Sequence, residues 1–189
     1  VWRKMRRQKP PEFYKIRREK LVRITKKKGD EKTKARLDML LFLLGNGYGY
    51  EAKGVLSLIR PKTSDVAASR QFRFLQGATD FMMGRYKDSL KALMHPSMFG
   101  NDEGEYWRAA AKIGAGEDVM NAAKTMNAKG GVFRAYPREL KMRLGIRTTE
   151  AAIIAGDIKS GIKYLSMLAK EEPRPKEIDQ LAFMEGTIK

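Results

Sequence analysis

The sequence contains no cysteine and only one histidine, His95, among its 189 residues. The absence of cysteine excludes disulfide bonds, cysteine-ligated zinc and thiol catalysis. A single histidine cannot build a multi-histidine metal site, and His95 has no recognisable acid–base partner in the sequence. We therefore predict a protein that is not an enzyme and that binds no cofactor or metal ion.

Long apolar runs are also missing. The longest run, Met39–Leu44, has six residues, far fewer than the roughly 20 that a membrane-spanning helix needs. The first residues contain no apolar segment of the kind found in a signal peptide. We expect no membrane span, and the localisation stays open between cytoplasm and periplasm because a chain without cysteine suits either compartment.

Positive charge is abundant, and it is concentrated at the start of the chain. The formal net charge is +17, from 39 Lys+Arg and 22 Asp+Glu. Residues 1–34 hold 15 of the Lys+Arg and 4 of the Asp+Glu, whereas residues 35–189 hold 24 and 18. This asymmetry predicts a basic arm over residues 1–11 and a basic capping helix over residues 12–30.

The predicted basic helix has an apolar face that we expect to pack on the next element. The residues of this face are Phe13, Ile16, Leu21 and Ile24. Gly29 is predicted to end the helix just after Lys26–Lys28. The cations of this segment are candidate polyanion contacts: Arg17, Arg18, Lys20, Lys26, Lys27 and Lys28. Solvated charge on a structural helix is the alternative to a polyanion-binding surface.

A local pattern recurs four times in residues 31–189. In each copy a turn glycine follows an apolar helical stretch, and a small residue comes five positions later. The glycines are Gly47, Gly84, Gly116 and Gly156, and the small residues are Ala52, Ser89, Asn121 and Gly161. The third copy is irregular, and a shift by one residue would select Ala122 instead. We expect the glycines to adopt a positive φ and the small residues to let the paired helices pack closely.

The glycines are 37, 32 and 40 residues apart, which suits pairs of helices of about a dozen residues joined by short connections. First helices are predicted at 33–45, 66–83, 103–115 and 137–155, and second helices at 50–60, 86–94, 118–128 and 158–171. In the last of these, the predicted apolar face comprises Ile158, Ile162, Leu165 and Leu168. No segment alternates strictly between polar and apolar residues, so strands are not expected.

The clearest copy of the pattern resembles the tetratricopeptide repeat family through Gly77, Phe81, Gly84, Tyr86, Ser89 and Leu93. The last copy resembles it through Ala152, Gly156, Gly161, Leu165, Leu168 and Pro173. The resemblance covers about residues 32–173 and is closest to the divergent repeats of bacterial proteins. It implies an all-α fold: a right-handed superhelical array of antiparallel helix pairs, with about four repeats and terminal capping helices over residues 31–189.

The same resemblance implies that the first helices line a concave face that binds a peptide or protein, and it implies no catalysis. The candidate groove contacts are then the cations Arg36, Arg70, Arg73, Arg108, Lys112, Arg143 and Arg147. Most fall in pairs three or four residues apart, on one helix face, which would suit an acidic peptide or a C-terminal carboxylate. We predict a scaffold or adaptor within a larger assembly. The alternative is a nucleic-acid-binding helical repeat that uses the basic helix.

Overall fold

The structure, a computed structural model, describes residues 10–59 and 69–188. All regular structure in these two ranges is helical, which confirms the predicted all-α class. The ten α-helices in this part of the chain are α1 (Pro10–Lys26), α2 (Gly29–Gly45), α3 (Gly49–Ser57), α4 (Arg70–Met82), α5 (Tyr86–Leu93), α6 (Asp102–Ala115), α7 (Val119–Ala128), α8 (Arg138–Ile154), α9 (Ile158–Ala169) and α10 (Pro175–Ile188). Short 3₁₀ turns lie at Pro96–Met98 and Gly130–Ala135.

The helices pack as neighbouring pairs. Four units can be defined, each with a first and a second helix: α2 with α3, α4 with α5, α6 with α7, and α8 with α9. Each second helix also contacts the first helix of the next unit, and α9 contacts α10. The predicted helix bounds agree with the observed ones to within a few residues, except that residues 60 and 66–68 lie outside the described ranges.

The four turn glycines have the predicted backbone conformation. Gly47, Gly84, Gly116 and Gly156 have φ values of 85°, 75°, 72° and 76°. A residue with a Cβ would be strained there, whereas glycine reverses the chain after a first helix at little cost.

Small residues bring the two helices of a unit close together. Ala52, Ser89 and Gly161 are buried. The Ser89 hydroxyl donates to the carbonyl of Gly77 on the partner helix at 2.8 Å. A Cβ added to Gly77 would lie 2.5 Å from Cγ of Leu93, so the α4–α5 contact leaves no room for a larger side chain.

The third unit corrects the predicted register. Asn121 is exposed, while Ala122 and Met126 are buried, so the shifted alternative is right. Two residues, Glu117 and Asp118, lie between the turn glycine Gly116 and the start of α7, whereas one residue lies there in the other units; Asp118 has φ 46°. The extra residue moves every inward-facing position of α7 by one.

The predicted apolar face of α9 is also partly wrong. Leu168 is fully buried, but Ile158 and Ile162 are exposed. The face that packs on the preceding helices instead includes Gly161 and Tyr164. Ile162 lies with Leu165 on an open apolar groove between α9 and α10, because α10 covers this side of α9 only in part.

Helix α1 differs from its prediction at both ends. It begins at Pro10, and residues 1–9 of the predicted arm lie outside the described ranges. It ends at Lys26, so Lys27 and Lys28 lie in the connection rather than in its last turn. Gly29, at φ 52°, begins α2 instead of ending α1.

Phe13 fixes α1 on the first unit. Its ring stacks on Phe42 and Tyr48, with centroid distances of 5.1 and 4.6 Å. The predicted inward position of Leu21 is wrong, because Lys20 takes that place and Leu21 is exposed. The Lys20 ammonium group lies 5.7 Å from the centroid of the Phe42 ring and pairs with Asp38 of α2 at 2.6 Å, so a long basic residue is accommodated at the helix interface.

Helix α2 contacts α8, although they belong to the first and fourth units. In an array in which each unit touches only its neighbours, such a contact would be absent. Because α1, α3, α4 and α8 all contact α2, nearly the whole circumference of its Met39–Leu44 segment is buried, and only Leu41 is partly exposed. This explains why the segment is apolar on all sides.

Trp107 of α6 lies in the middle of the core. Its ring packs edge-on against Phe74 and Phe81. Its indole N–H donates to the Tyr136 hydroxyl at 2.8 Å, and that hydroxyl donates to Glu103 at 2.9 Å. Phe133, in the same connection as Tyr136, is fully buried. The segment between α7 and α8 therefore folds back onto the array and completes its core.

Candidate functional site

A cavity of about 500 Å³ lies where the first and fourth units meet. Its walls come from the turn at Gly47, the end of α4, the start of α5, one face of α8, and the start of α10. A volume of this size is in the range of sites that bind small ligands or a few peptide residues. The contact between α2 and α8 closes one side of the cavity.

One face of α8 supplies most of the charged wall. Glu139, Arg143, Ile146, Arg147 and Glu150 all line the cavity. They recur at spacings of three, four or one, which places them on the same side of a helix. The opposite side of α8 is apolar and packs against α7 and α9, so the packing of the unit holds the charged face toward the cavity.

The cavity carboxylates already have basic partners. Glu139 accepts a hydrogen bond from Arg174 at 2.6 Å, and Glu150 accepts one from Arg147 at 2.7 Å. Glu177 accepts from Arg138 and from the backbone N–H of Arg174. Burial acts to raise the pKa of Glu177, but these hydrogen bonds lower it below its usual value. All three carboxylates are therefore already engaged by basic groups of the protein.

Two of the cavity cations, by contrast, have no ion-pair partner in the described part of the chain. Arg143 and Lys176 are exposed, and neither has a hydrogen-bond or ion-pair partner among residues 10–59 and 69–188. Arg143 lies one helical turn before Arg147 on α8. An anion entering the cavity would meet Arg143 without displacing an existing ion pair.

Arg147 joins the basic wall to an aromatic one. Its guanidinium lies 6.0 Å from the ring centroid of Tyr86. Burial acts to lower the pKa of Arg147, but the Glu150 charge and the Tyr86 hydroxyl together raise it above its usual value. Phe81 and Met82 line the cavity beside Tyr86 but are only 2% and 6% exposed, so the Tyr86 ring is the main accessible aromatic surface there. The cavity can thus receive a negative group and an apolar group at the same time.

The other predicted groove cations do not join this cavity. Arg108 is 8% exposed and donates to the carbonyls of Leu93 and Met98 at 3.3 and 3.0 Å. Burial lowers the pKa of Arg108. Lys112 pairs with Asp118 at 3.4 Å. Arg73 donates to Gln76 on its own helix.

A recurring contact explains several of these cations. In three units an arginine on the first helix donates to a backbone carbonyl just after the second helix, where carbonyls lack partners within the helix. The contacts are Arg36 to Leu58, Arg70 to Ser97, and Arg138 to Glu171 and Glu172. These arginines link the two helices of the first, second and fourth units. Of the predicted groove residues, only Arg143 and Arg147 line the cavity.

Sequence reasoning did not find the part of the site that comes from other elements. Tyr86 was noted only as a repeat residue, and Arg174, Lys176 and Glu177 lie beyond the last full unit. The charge pattern on α8, with Glu139 and Glu150 at helical spacings from the two arginines, could have indicated a charged helix face. No sequence signal shows that the start of α10 turns back toward α2.

The N-terminal cations form a second basic surface, on α1. Arg17, Arg18, Lys26 and Lys28 are exposed. Lys27 is half-buried, and Lys20 is already paired with Asp38. This surface is separate from the cavity and shares none of its lining residues.

Comparison with known proteins gives no relative. No model of a known family matches the sequence, and no curated protein or solved structure matches it significantly. In the described ranges, no three acidic or histidine side chains come together in a way that could bind a metal ion. None of the helices in these ranges has the length and apolar character required to cross a membrane.

Proposed function

We propose that this protein is a non-enzymatic scaffold of the tetratricopeptide-repeat type, which docks an acidic segment of a partner protein within a larger assembly. In this proposal the units form a right-handed superhelix, and the segment binds at its inner side. The observation that carries the proposal is the cavity between the first and fourth units, where Arg143 has no partner within residues 10–59 and 69–188 and Arg147 lies beside Tyr86.

The charge state of the cavity argues for an acidic ligand. Its carboxylates are engaged by Arg138, Arg147 and Arg174, so they do not compete strongly for Arg143. A carboxylate hydrogen-bonded to an arginine gains a charge-assisted, directional contact. An Asp or Glu side chain, or a C-terminal carboxylate, can supply it.

The neighbouring apolar surface argues for a peptide rather than a small inorganic anion. Tyr86, Phe81 and Met82 lie on the wall next to the basic residues. Of these residues only Tyr86 is partly exposed, and an apolar or aromatic side chain adjacent to the acidic residue would cover its ring and gain the free energy of that burial. The ligand proposed is therefore an acidic residue followed or preceded by a large apolar one.

Fluorescence polarisation with labelled peptides tests this proposal. The peptides would carry an acidic residue beside Phe or Leu, with matched versions in which the acid is replaced by Gln or the C-terminal carboxylate by an amide. We expect Arg143→Ala to weaken binding of the acidic peptide by about tenfold, the size of a charge-assisted hydrogen bond. Binding of the neutral peptide should change little.

Arg134→Ala is the matched control, because Arg134 is an exposed arginine that does not line the cavity. It should leave the affinity for every peptide unchanged. The proposal is wrong if acidic and neutral peptides bind equally, or if Arg134→Ala and Arg143→Ala have the same effect.

A further inference from the structure

The outward side of α1 is a basic surface that is held in place by the contacts of the inward side. The helix is held on the first unit by the Phe13 ring stack and by the Lys20–Asp38 ion pair. Ile16 and Ile24 add partly buried contacts on the same side. The position of the outward-facing side chains is therefore set by the packing of the inward-facing ones.

We define the basic face of α1 as Tyr14, Arg17, Arg18 and Leu21. Their spacings of three and four place them on one side of the helix, whereas Glu12 and Glu19 lie on the other side. All four residues of the face are exposed. Arg17 and Arg18 have no hydrogen-bond or ion-pair partner in residues 10–59 and 69–188, so their charges are available to an external anion.

Ion pairing within the helix does not account for these cations. On a helix, opposite charges three or four residues apart stabilise it, and like charges at these spacings destabilise it, by a few tenths of a kcal/mol per pair. No acidic residue lies three or four positions from Arg17 or Arg18; Tyr14 and Leu21 lie at these spacings instead. An acidic residue at either of those two positions would have supplied a stabilising pair. The surface instead keeps uncompensated charge next to an exposed aromatic ring.

Two tyrosine rings contact Phe13, the residue that stacks α1 onto the first unit. Tyr14 is 61% exposed and packs edge-on against Phe13, with ring centroids 5.5 Å apart. Tyr48 is 37% exposed and stacks on Phe13 at 4.6 Å. Both rings are thus supported from below by a buried ring while keeping accessible surface. An exposed, supported aromatic ring beside arginines is a platform on which a nucleobase can stack.

We propose that the basic face of α1 binds single-stranded nucleic acid, with Arg17 and Arg18 contacting phosphates and Tyr14 stacking on a base. A duplex keeps its bases stacked inside the helix, so it could use the arginines but not the tyrosine ring. The combination therefore distinguishes a single strand from a duplex. This inference does not depend on the peptide cavity, which lies on other elements.

The test uses the full chain with a labelled oligodeoxythymidine, and a duplex of the same length, over a salt series. For a single strand, log affinity falls with log salt by about 0.7 for each phosphate contacted. We expect Arg17→Gln combined with Arg18→Gln to make this slope shallower by about 1.4, corresponding to two lost phosphate contacts. A difference between variants is used because other basic residues add to the absolute slope.

Tyr14→Leu should weaken single-strand binding by about tenfold, within the range measured for loss of one base–aromatic stack, and leave the salt slope unchanged. Phe183→Leu is the matched aromatic control, since Phe183 is 78% exposed on α10. Lys159→Gln combined with Lys163→Gln is the matched charge control on exposed positions of α9. Neither control should alter binding.

Two outcomes would overturn the proposal. One is equal binding of single strand and duplex with no effect of Tyr14→Leu, which would mean that the surface attracts any polyanion. The other is absence of nucleic-acid binding at physiological salt while the chain binds vesicles of phosphatidylserine and phosphatidylcholine, which would identify the partner as an acidic membrane surface.

Discussion

Gly77 and Gly54 both lie inside helices, and their surroundings are opposite. A Cβ on Gly77 would lie within 2.7 Å of two atoms of Leu93, and Leu93 is fully buried, so its side chain cannot turn out into solvent. A Cβ on Gly54 would meet nothing within 4 Å. One glycine is required by packing, and the other is only a flexible residue in an exposed helix position.

The first prediction compares alanine at these two sites. Gly77→Ala should destabilise the protein by roughly 1–3 kcal/mol, because the extra methyl group forces α4 and α5 apart. Gly54→Ala should stabilise it by about 0.5–1 kcal/mol through the higher helix propensity of alanine. Urea unfolding measures both. Equal effects at the two positions would show that helix propensity, and not the α4–α5 contact, governs Gly77.

The basic residues show how far single positions can be predicted from sequence. Arg143 and Arg147 were placed together correctly, because a four-residue spacing on a helix fixes a shared face whatever the tertiary packing. The neighbours of Arg36 and Arg70 could not be predicted. Their backbone carbonyl partners lie 22 and 27 residues away, and nothing in the sequence shows where a second helix leaves a carbonyl unpaired.

At the scale of whole elements, α10 is attached to the array through a concentrated ionic contact. Arg138, 7% exposed, binds Glu177 of α10 and the two carbonyls that follow α9. Arg174, just before α10, binds Glu139. By contrast, the groove between α9 and α10 is apolar and open. The ion pairs therefore fix the start of α10, while Leu181 and Met184 provide its buried apolar contacts further along the helix.

Removal of the Glu177 charge should therefore loosen α10 specifically. Glu177→Gln leaves the buried Arg138 without its main counter-charge, and we expect faster hydrogen exchange in residues 175–188 with little change in α4 and α6. Asp179→Asn is the control, because Asp179 is exposed and has no partner in the described part of the chain. Uniform acceleration across all helices would contradict this local role.

The pH dependence of α10 follows from the same contact. Because the pKa of Glu177 is lowered by folding, its stabilising contribution is present above its ordinary value of 4.5 and is lost as the pH falls through the folded value. Hydrogen-exchange protection of α10 should accordingly decrease as the pH falls from 4.5 through the folded pKa of Glu177. The Glu177→Gln variant should lack most of this decrease.

The helix pattern was the most predictable property at this scale. Apolar spacing and turn glycines located both helices of each unit, since these signals are local. These signals do not fix the register of α7, because Gly116 lies one residue further from the start of its second helix than the other turn glycines do. The apolar face of α9 differs from its prediction for another reason: Ile162 lines a groove that α10 covers only in part.

At the scale of the molecule, the contact between α2 and α8 joins the two ends of the four-unit array. Buried residues from all four units form one continuous apolar cluster. Open repeat arrays can unfold unit by unit, since each unit interacts only with its neighbours. Here the loss of either the first or the fourth unit would also expose part of the other.

We therefore predict a single cooperative unfolding transition. Fluorescence of Trp107, which is fully buried in the third unit, should change at the same urea concentration as the circular dichroism of the helices. The measurement requires a Trp2→Phe background, because Trp2 is the second tryptophan. Two separated transitions would show that the units fold independently despite the α2–α8 contact.

The α2–α8 contact also limits how this chain can change in length over evolution. Repeat proteins commonly gain and lose whole units by duplication and deletion. In this molecule Glu139 packs against Gly47: its side chain lies 3.4 Å from the position that a Cβ on Gly47 would take. A unit inserted between α3 and α8 would separate these two residues and open the cavity. The number of units should therefore be fixed among relatives that keep the cavity, with length variation confined to the two ends of the chain.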